Sequence, residues 1–217
     1  MTDPLSVTAP FHPREFNIVA SGRWFCLELI DDDAIRTQLR RFVRLAAGIR
    51  DDVAVFRADA RRRLFDQAIA CRGAGATHQF FCLELMPKVP FPASFTVFWP
   101  MSVFVPPEGE GAPVEALEEW CERELVRDGL GDTGGFPVGE TAVVRRSGVL
   151  TEPVLNHAAL GEAEVVRADF WANVPGTDRL ALFSFQSPAV LDPEKILALF
   201  TVMMCTLTWG PETEAGS

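Results

Sequence analysis

Lysine, histidine and paired cysteine are scarce in this chain of 217 residues. Only Lys88 and Lys195 are lysines, so arginine carries almost all of the positive charge, and arginine is the better residue for bidentate contacts. The cysteines are odd in number and none belongs to a Cys-x-x-Cys pair, which excludes the sequence pattern of a disulfide framework or a zinc knuckle. The three histidines lie far apart in the sequence and outside any metal-ligand motif. We therefore expect no bound metal and no disulfide.

Long apolar runs are also missing. The longest, 196–209, is interrupted by Thr201, Thr206 and Thr208 and is shorter than the roughly 20 residues that a membrane span requires. The first ten residues contain neither a basic nor an apolar segment, so we expect no signal peptide. The net charge of −10 disfavours nucleic acid and anionic membranes as main partners, because both would repel the chain. These absences favour a cytoplasmic protein without membrane insertion.

What the chain does contain is a repeated strand pattern. The pentapeptide Phe25–Leu29 recurs letter for letter at Phe81–Leu85, and each copy follows another aromatic residue. Apolar and polar residues alternate in both copies, which is typical of a strand with one buried face. We expect both strands in one sheet, since a slip by one residue would bury the two glutamates. The residues expected to face helices are Phe25, Leu27, Leu29, Phe81, Leu83 and Leu85.

The order of predicted elements indicates an α+β protein with an antiparallel sheet sandwiched by helices. We expect a loose segment at 1–15, a single domain at 16–209 and an acidic tail at 210–217. Hairpins are predicted at residues 21–23 and at Pro175-Gly176, where Pro followed by Gly suits a type II turn. Further strands are predicted at 94–105, 141–146 and 149–154, helices at 31–73 and from Pro113, and a loop at 131–139.

The last predicted helix has the clearest start. Asp192 is suited to cap it, Pro193 fits its first position, and Leu191 is placed to contact Ile196. Its apolar residues, from Ile196 onward, go nearly all the way round. We therefore expect this helix to be buried between the sheet and another layer.

A glycine-rich stretch does not amount to a nucleotide site. Residues 129–134 read Gly-x-Gly-x-x-Gly, but a dinucleotide site needs a strand before this pattern and a helix opening at its last glycine. Here a helix is expected before the pattern, and Gly135-Phe136-Pro137 follows it. We therefore expect no cofactor.

The same stretch supports a competing hypothesis, a hydrolase of the aspartyl type. Asp132-Thr133-Gly134 is the tripeptide that carries the carboxylate in pepsin-like and retroviral proteases. That chemistry needs two aspartates sharing a proton, so each half of a dimer would have to supply one. A glycine follows where a small Ala or Ser is usual, and Ser147 and Ser184 lack the Gly-x-Ser-x-Gly elbow. We favour a non-enzymatic function and keep this hydrolase as the alternative.

Positive charge is concentrated in the first helical pair. Residues 31–75 hold ten arginines and seven aspartates, a local charge of +3 that leaves −13 for the rest. Arginines recur at every fourth residue on each predicted helix, opposite its apolar stripe. They form either a docking surface for an acidic protein partner or a solvated face balanced by acids elsewhere. The candidate partner-binding residues are Arg36, Arg40, Arg44, Arg57 and Arg61.

A family resemblance rests on several short segments spread over about residues 16–209. They are Gly22-Arg23-Trp24 at a strand entry, strand 93–97, Pro137-Val138-Gly139 before 142–145, strand 182–185 and the terminal helix 200–209. In this order they resemble the Mog1/PsbP-like fold, an antiparallel sheet between helices that ends in a long hairpin and a buried helix. The resemblance implies a non-catalytic binding or adaptor protein. The chain is also similar to proteins of high-GC Gram-positive bacteria, some of which accompany type VII secretion genes.

Overall fold

The computed structural model describes residues 14–47, 54–107, 109, 111–125, 129–153, 162–188 and 192–210. Most of the expected loose segment, residues 1–13, and most of the expected acidic tail, residues 211–217, lie outside these ranges. The helices are α1 (Asp32–Ala47), α2 (Ala54–Gly73), α3 (Val114–Glu124) and α4 (Pro193–Met204). The strands are β1 (Phe16–Asn17), β2 (Arg23–Glu28), β3 (Ala76–Glu84), β4 (Ser94–Phe98), β5 (Asp132–Val138), β6 (Thr141–Pro153), β7 (Glu162–Asn173), β8 (Leu180–Pro188) and β9 (Thr208–Trp209). No helix within these ranges is long and apolar enough to cross a membrane.

Seven strands form one antiparallel sheet, in the order β2-β3-β4-β8-β7-β6-β5. One face of this sheet packs against α1 and α2 at the β2–β3 end and against α3 at the β5–β6 end. The other face packs against α4 and holds the largest core cluster, in which Phe200 contacts Phe185. The α+β class and the antiparallel sheet with helices on both faces are therefore confirmed.

The repeated strands are β2 and β3, which are neighbours with Phe25 opposite Phe81. Phe25, Leu27 and Leu29 are buried beneath α1, and Phe81 packs against Phe42 at a centroid distance of 4.8 Å. Leu83 belongs to the same cluster, so five of the six expected contacts with the helices are confirmed.

The expectation for Leu85 is wrong. Leu85 packs in the core on the opposite face, because β3 ends at Glu84 before the alternation reaches it. The glutamates stay out of the core as expected: Glu28 is exposed, and Glu84 is bonded to Arg23 at 2.7 Å.

The hairpin expected at residues 21–23 is absent from the described chain, because the residues before this turn do not pair with β2. Phe16 pairs instead with Trp209, so β1 and β9 make a separate two-stranded sheet near the ends of the fold. Gly22 still marks a sharp turn with φ at +89°, and an added Cβ would lie 2.1 Å from the carbonyl oxygen of Glu84. Only glycine fits there, because the backbone passes so close to β3.

The predicted loop at 131–139 is wrong, since most of it is the edge strand β5. An added Cβ on Gly135 would lie 2.6 Å from Val114 Cγ1 and 2.7 Å from Glu118 Oε1, so glycine allows α3 to pack directly on this strand. The two strands expected at 141–154 are one continuous strand, β6. The strand from residue 94 stops at Phe98, and beyond it Val103 makes only an isolated bridge to Arg179.

The hairpin of β7 and β8 is confirmed. Its turn closes with a bond from Thr177 N–H to Val174 O at 3.1 Å, and Gly176 has φ at +75°, as the third position of a type II turn requires.

The start of α4 is confirmed, because Asp192 Oδ1 accepts from Glu194 N–H at 3.1 Å. The contact expected of Leu191 lies outside the described residues.

The prediction that α4 is buried on all sides is wrong: Ile196 and Phe200 face the core, whereas Val202 is 64% exposed. The helix lies on the sheet with its outer side open.

Candidate functional site

The arginine stripe on α1 follows from how this helix is fixed. Asp31 Oδ1 accepts from Ala34 N–H at 2.8 Å and begins the helix. Ile35, Leu39 and Val43 are buried against the sheet, so residues on the opposite side of the helix point outward. Arg40 and Arg44 are exposed there.

The groove between α1 and α2 gathers arginines from both helices. A cleft of about 350 Å³ has Leu39 and Phe65 in its wall together with four arginines. We call this the arginine cleft, and its arginines are Arg36, Arg40, Arg61 and Arg62. The arginine cleft therefore brings together three of the five predicted partner-binding residues, Arg36, Arg40 and Arg61. It also includes Arg62, which was not predicted, and it does not include Arg44 and Arg57.

The arginines of the cleft differ in how far their charge is already satisfied. Arg36 contacts Asp33 at 3.2 Å, and its guanidinium carbon lies 4.4 Å above the ring of Phe65. Arg62 contacts Asp59 at 3.4 Å. Arg40 and Arg61 are exposed and have no ion pair among the described residues. These two side chains are the ones available to an incoming anion.

Exposed apolar residues flank the arginines at one end of the helical pair. Leu45 near the end of α1 and Val55 and Phe56 at the start of α2 are all exposed, Phe56 by 63%. An apolar stripe is expected along this helix, but Phe56 at its start is not buried. The only fully buried residue of α2 is Ala68, and the residues of this helix that pack against the core cluster, Leu64, Phe65, Ile69 and Cys71, all lie in its second half.

The Asp132 of the hydrolase hypothesis lies on the edge strand β5. Its Oδ2 accepts from Arg145 Nη2 at 2.6 Å and from Ser147 Oγ at 3.2 Å. A shared-proton dyad would need a second carboxylate at this distance. Among the described residues the partners of Asp132 are a guanidinium and a hydroxyl, which is the arrangement of a surface ion pair.

A second concave site was not predicted from the sequence. It lies on the opposite face of the sheet, at the β2–β3–β4 end, where the segment 14–20 covers the strands instead of α4. Its volume is about 550 Å³. We call this the aromatic pocket, and its main lining residues are Arg14, Phe16, Trp24, Cys26, His78, Phe80, Phe95 and Trp99.

Two titratable groups line the aromatic pocket. Burial lowers the pKa of His78 below its ordinary value, and the Glu28 carboxylate opposite it on β2 offsets this in part. Burial, with a smaller contribution from Glu28, raises the pKa of the Cys26 thiol to about 11. At neutral pH the pocket therefore holds a neutral imidazole and a neutral thiol, and a neutral thiol is a poor nucleophile.

A signal for this pocket was present in the sequence. Trp24 and Phe80 precede the two copies of the pentapeptide, and the alternation places both on the face opposite to the helices α1 and α2. Cys26 and His78 share that face. Aromatic residues at positions expected to be polar marked a second buried surface.

Compared with protein-family models, with curated proteins and with solved structures, the chain has no match. Within the described residues there is no group of three or more His, Cys, Asp or Glu side chains that could hold a metal ion.

Proposed function

We propose that this chain is a non-enzymatic binding protein, an adaptor or accessory factor, that docks an acidic segment of a protein partner on the arginine cleft. The observation that carries the proposal is the position of Arg40 and Arg61. Both line a groove with an apolar wall, Arg40 from α1 and Arg61 from α2, and no carboxylate of the described residues forms an ion pair with them.

Charge distribution supports an acidic partner. The helices α1 and α2 carry nine arginines and four aspartates, a charge of +5, which leaves −15 for the rest of the chain. A basic patch on an acidic protein steers an anionic partner toward one face and repels it from the others. Arginine suits this role because its guanidinium binds a carboxylate through two parallel hydrogen bonds.

The neighbouring apolar residues define the partner further. Phe65 in the cleft and Phe56 at the helix ends are not fully buried, so their contact with a partner would give burial energy that exposed ion pairs lack. We therefore propose a segment in which glutamates or aspartates alternate with leucine-like side chains. Arg44 and Arg57 would extend the contact toward Phe56.

We further propose that the fold is Mog1/PsbP-like. The order of elements supports this, with a long β7–β8 hairpin followed by a last helix on the sheet. Proteins of that fold usually act as binding or assembly accessories, which agrees with the proposed role. A link to secretion genes rests on the sequence resemblance alone.

A direct test uses a short fluorescein-labelled peptide rich in glutamate that carries a pair of leucines. Fluorescence anisotropy would measure its affinity for the wild type and for the triple variant R40E/R44E/R61E. We expect the triple variant to bind at least tenfold more weakly, since each exposed charged contact contributes up to about 1 kcal/mol. The control variant R23E/R123E/K195E changes the net charge equally, at positions outside α1 and α2.

Two outcomes would overturn the proposal. One is equal loss of affinity in both triple variants, because net charge alone would then explain the binding. The other is saturable binding of a lysine-rich peptide of the same length at the same strength.

A further inference from the structure

The aromatic pocket has the composition of a small-molecule site. We propose that it binds a small, flat aromatic molecule that carries an anionic oxygen group, such as a carboxylate. This site is separate from the arginine cleft, because the two lie on opposite faces of the sheet.

The pocket floor is made of ring faces that are already stacked. Phe80 and Phe95 are nearly parallel with centroids 4.3 Å apart, and Phe95 stacks on Phe185 at 4.6 Å. Trp24 lies over Phe95 at 5.5 Å, and Phe16 meets Phe80 edge-on at 6.3 Å. Phe95 and Phe185 are almost completely buried, so the partly exposed rings of Phe16, Trp24 and Phe80 are the surfaces left for another planar ring. The volume of about 550 Å³ is that of pockets which enclose small organic ligands.

A chain of hydrogen bonds from Trp99 through Thr77 orients the His78 ring, a polar group of the pocket. The indole N–H of Trp99 can only donate, and it donates to Thr77 Oγ1 at 3.1 Å. The Thr77 hydroxyl also lies 2.9 Å from His78 Nδ1, and the two share one hydrogen bond. A ligand oxygen at Nε2, the other ring nitrogen, would select the tautomer that carries its hydrogen on Nε2, in which Thr77 donates to Nδ1. In that tautomer His78 offers the ligand one N–H donor.

Arg14 favours an anionic acceptor over a neutral one. Its Nε donates to Gly210 O and its Nη1 to Pro175 O, both at 2.9 Å, so the half-buried guanidinium is held in place by carbonyl groups. Among the described residues no carboxylate pairs with Arg14, and none accepts a hydrogen bond from its Nη2. Two carboxylates lie near this site, Glu15 in the lining and Glu28 opposite His78, and both residues are exposed, where solvent screens their charge.

The indole N–H signals of ¹⁵N-labelled protein provide the test. The probe is 2-naphthoate, a flat ring system with one carboxylate. We expect the signals of Trp24 and Trp99 to shift in a saturable way, because both rings line the pocket. Trp120 and Trp171 pack against each other under α3 on the other face, so their signals should stay in place.

Three variants test whether 2-naphthoate binds in the aromatic pocket and not elsewhere on the protein. Cys26→Phe fills the pocket and should abolish binding, whereas Val202→Phe adds similar bulk on the open side of α4 and should leave it unchanged. His78→Phe keeps an aromatic ring but removes the donor. It should weaken 2-naphthoate binding by about tenfold, the value of one charge-assisted hydrogen bond. Thermal unfolding would establish that each variant is folded.

The charge of the ligand is tested with naphthylmethylammonium, which has the same rings and the opposite charge. We expect it to bind at least tenfold more weakly than 2-naphthoate, on the basis of the repulsion between like charges at Arg14. The proposal is overturned if 2-naphthoate leaves Trp24 and Trp99 unshifted, if it binds Cys26→Phe with full affinity, or if the cation binds more tightly.

Discussion

The side-chain amide of Gln38 hydrogen-bonds to the backbone N–H and C=O of Glu28, as a neighbouring strand would. Gln38 Oε1 accepts from Glu28 N–H at 3.0 Å, and Gln38 Nε2 donates to Glu28 O at 3.1 Å. Because β2 is the end strand of the sheet, these backbone groups would otherwise be open to pairing with another chain. The helix that presents the arginines therefore also closes the edge of the sheet on which it packs.

Replacing Gln38 by alanine should lower the free energy of unfolding by about 1–3 kcal/mol, since two hydrogen bonds of roughly 0.5–1.5 kcal/mol each are lost. Urea denaturation would measure this loss. Gln67→Ala is the matched control, because Gln67 is a half-buried glutamine on α2 with no hydrogen bond to a described residue. Equal effects of both substitutions would contradict the edge-closing role of Gln38.

Two adjacent glycines in β5 should respond differently to alanine. A Cβ on Gly135 meets Val114 Cγ1 at 2.6 Å, whereas a Cβ on Gly134 has no atom within 4 Å. We expect Gly135→Ala to cost about 1–3 kcal/mol of stability through overpacking under α3. Gly134→Ala should be neutral or slightly stabilising. Thermal unfolding of the two variants side by side checks this, and a larger loss for Gly134→Ala would show that α3 does not pack on this strand as described.

Stability should fall in mild acid because of His78. Its pKa is lowered in the folded state, so as the pH drops below about 6.5 the unfolded chain takes up a proton first. The stability contributed by the neutral imidazole is therefore present above the unfolded pKa and is lost as the pH falls toward the folded pKa. Denaturation at a series of pH values should show the wild type losing stability relative to His78→Phe below pH 6.5. Parallel curves for the two proteins would rule out this contribution.

The cysteines should react with a thiol reagent in a fixed order. Cys205 and Cys26 are both exposed, and Cys205 should react first because the raised pKa of Cys26 keeps that thiol protonated. Burial raises the pKa of the Cys26 thiol to about 11 and that of the Cys121 thiol to about 12, so both hold little thiolate at pH 8. Cys121, which is also buried, should react last. Mass spectrometry after timed alkylation would establish the order, and rapid modification of Cys121 in the folded protein would contradict this environment.

Local sequence patterns were sufficient wherever one interaction decides the structure. The alternation in Phe25–Leu29 predicted a buried face, the order Asp192-Pro193 predicted a helix start, and Pro175-Gly176 predicted a turn. Each of these features depends on neighbouring residues alone. The arginine stripe was likewise visible, because a spacing of four residues places side chains on one side of a helix.

Features that depend on distant contacts could not be predicted in this way. The pairing of Phe16 with Trp209 joins the two ends of the fold, and no local pattern indicates it. Gly134 and Gly135 are typical of a loop, and only the approach of α3 explains why they lie in a strand. The aromatic pocket was missed because the segment 14–20 forms part of its wall, and this segment is held there by the same long-range pairing of Phe16 with Trp209.

The most direct test of the arginine cleft as a docking surface is the association rate of the labelled acidic peptide at increasing ionic strength, measured by stopped-flow fluorescence. The cleft predicts fast association with the wild type that slows as salt screens the charges. R40E/R44E/R61E should associate more slowly at low salt and lose this dependence, while R23E/R123E/K195E should retain it. If the first triple variant keeps the rate and salt response of the wild type, the arginines form only a solvated surface.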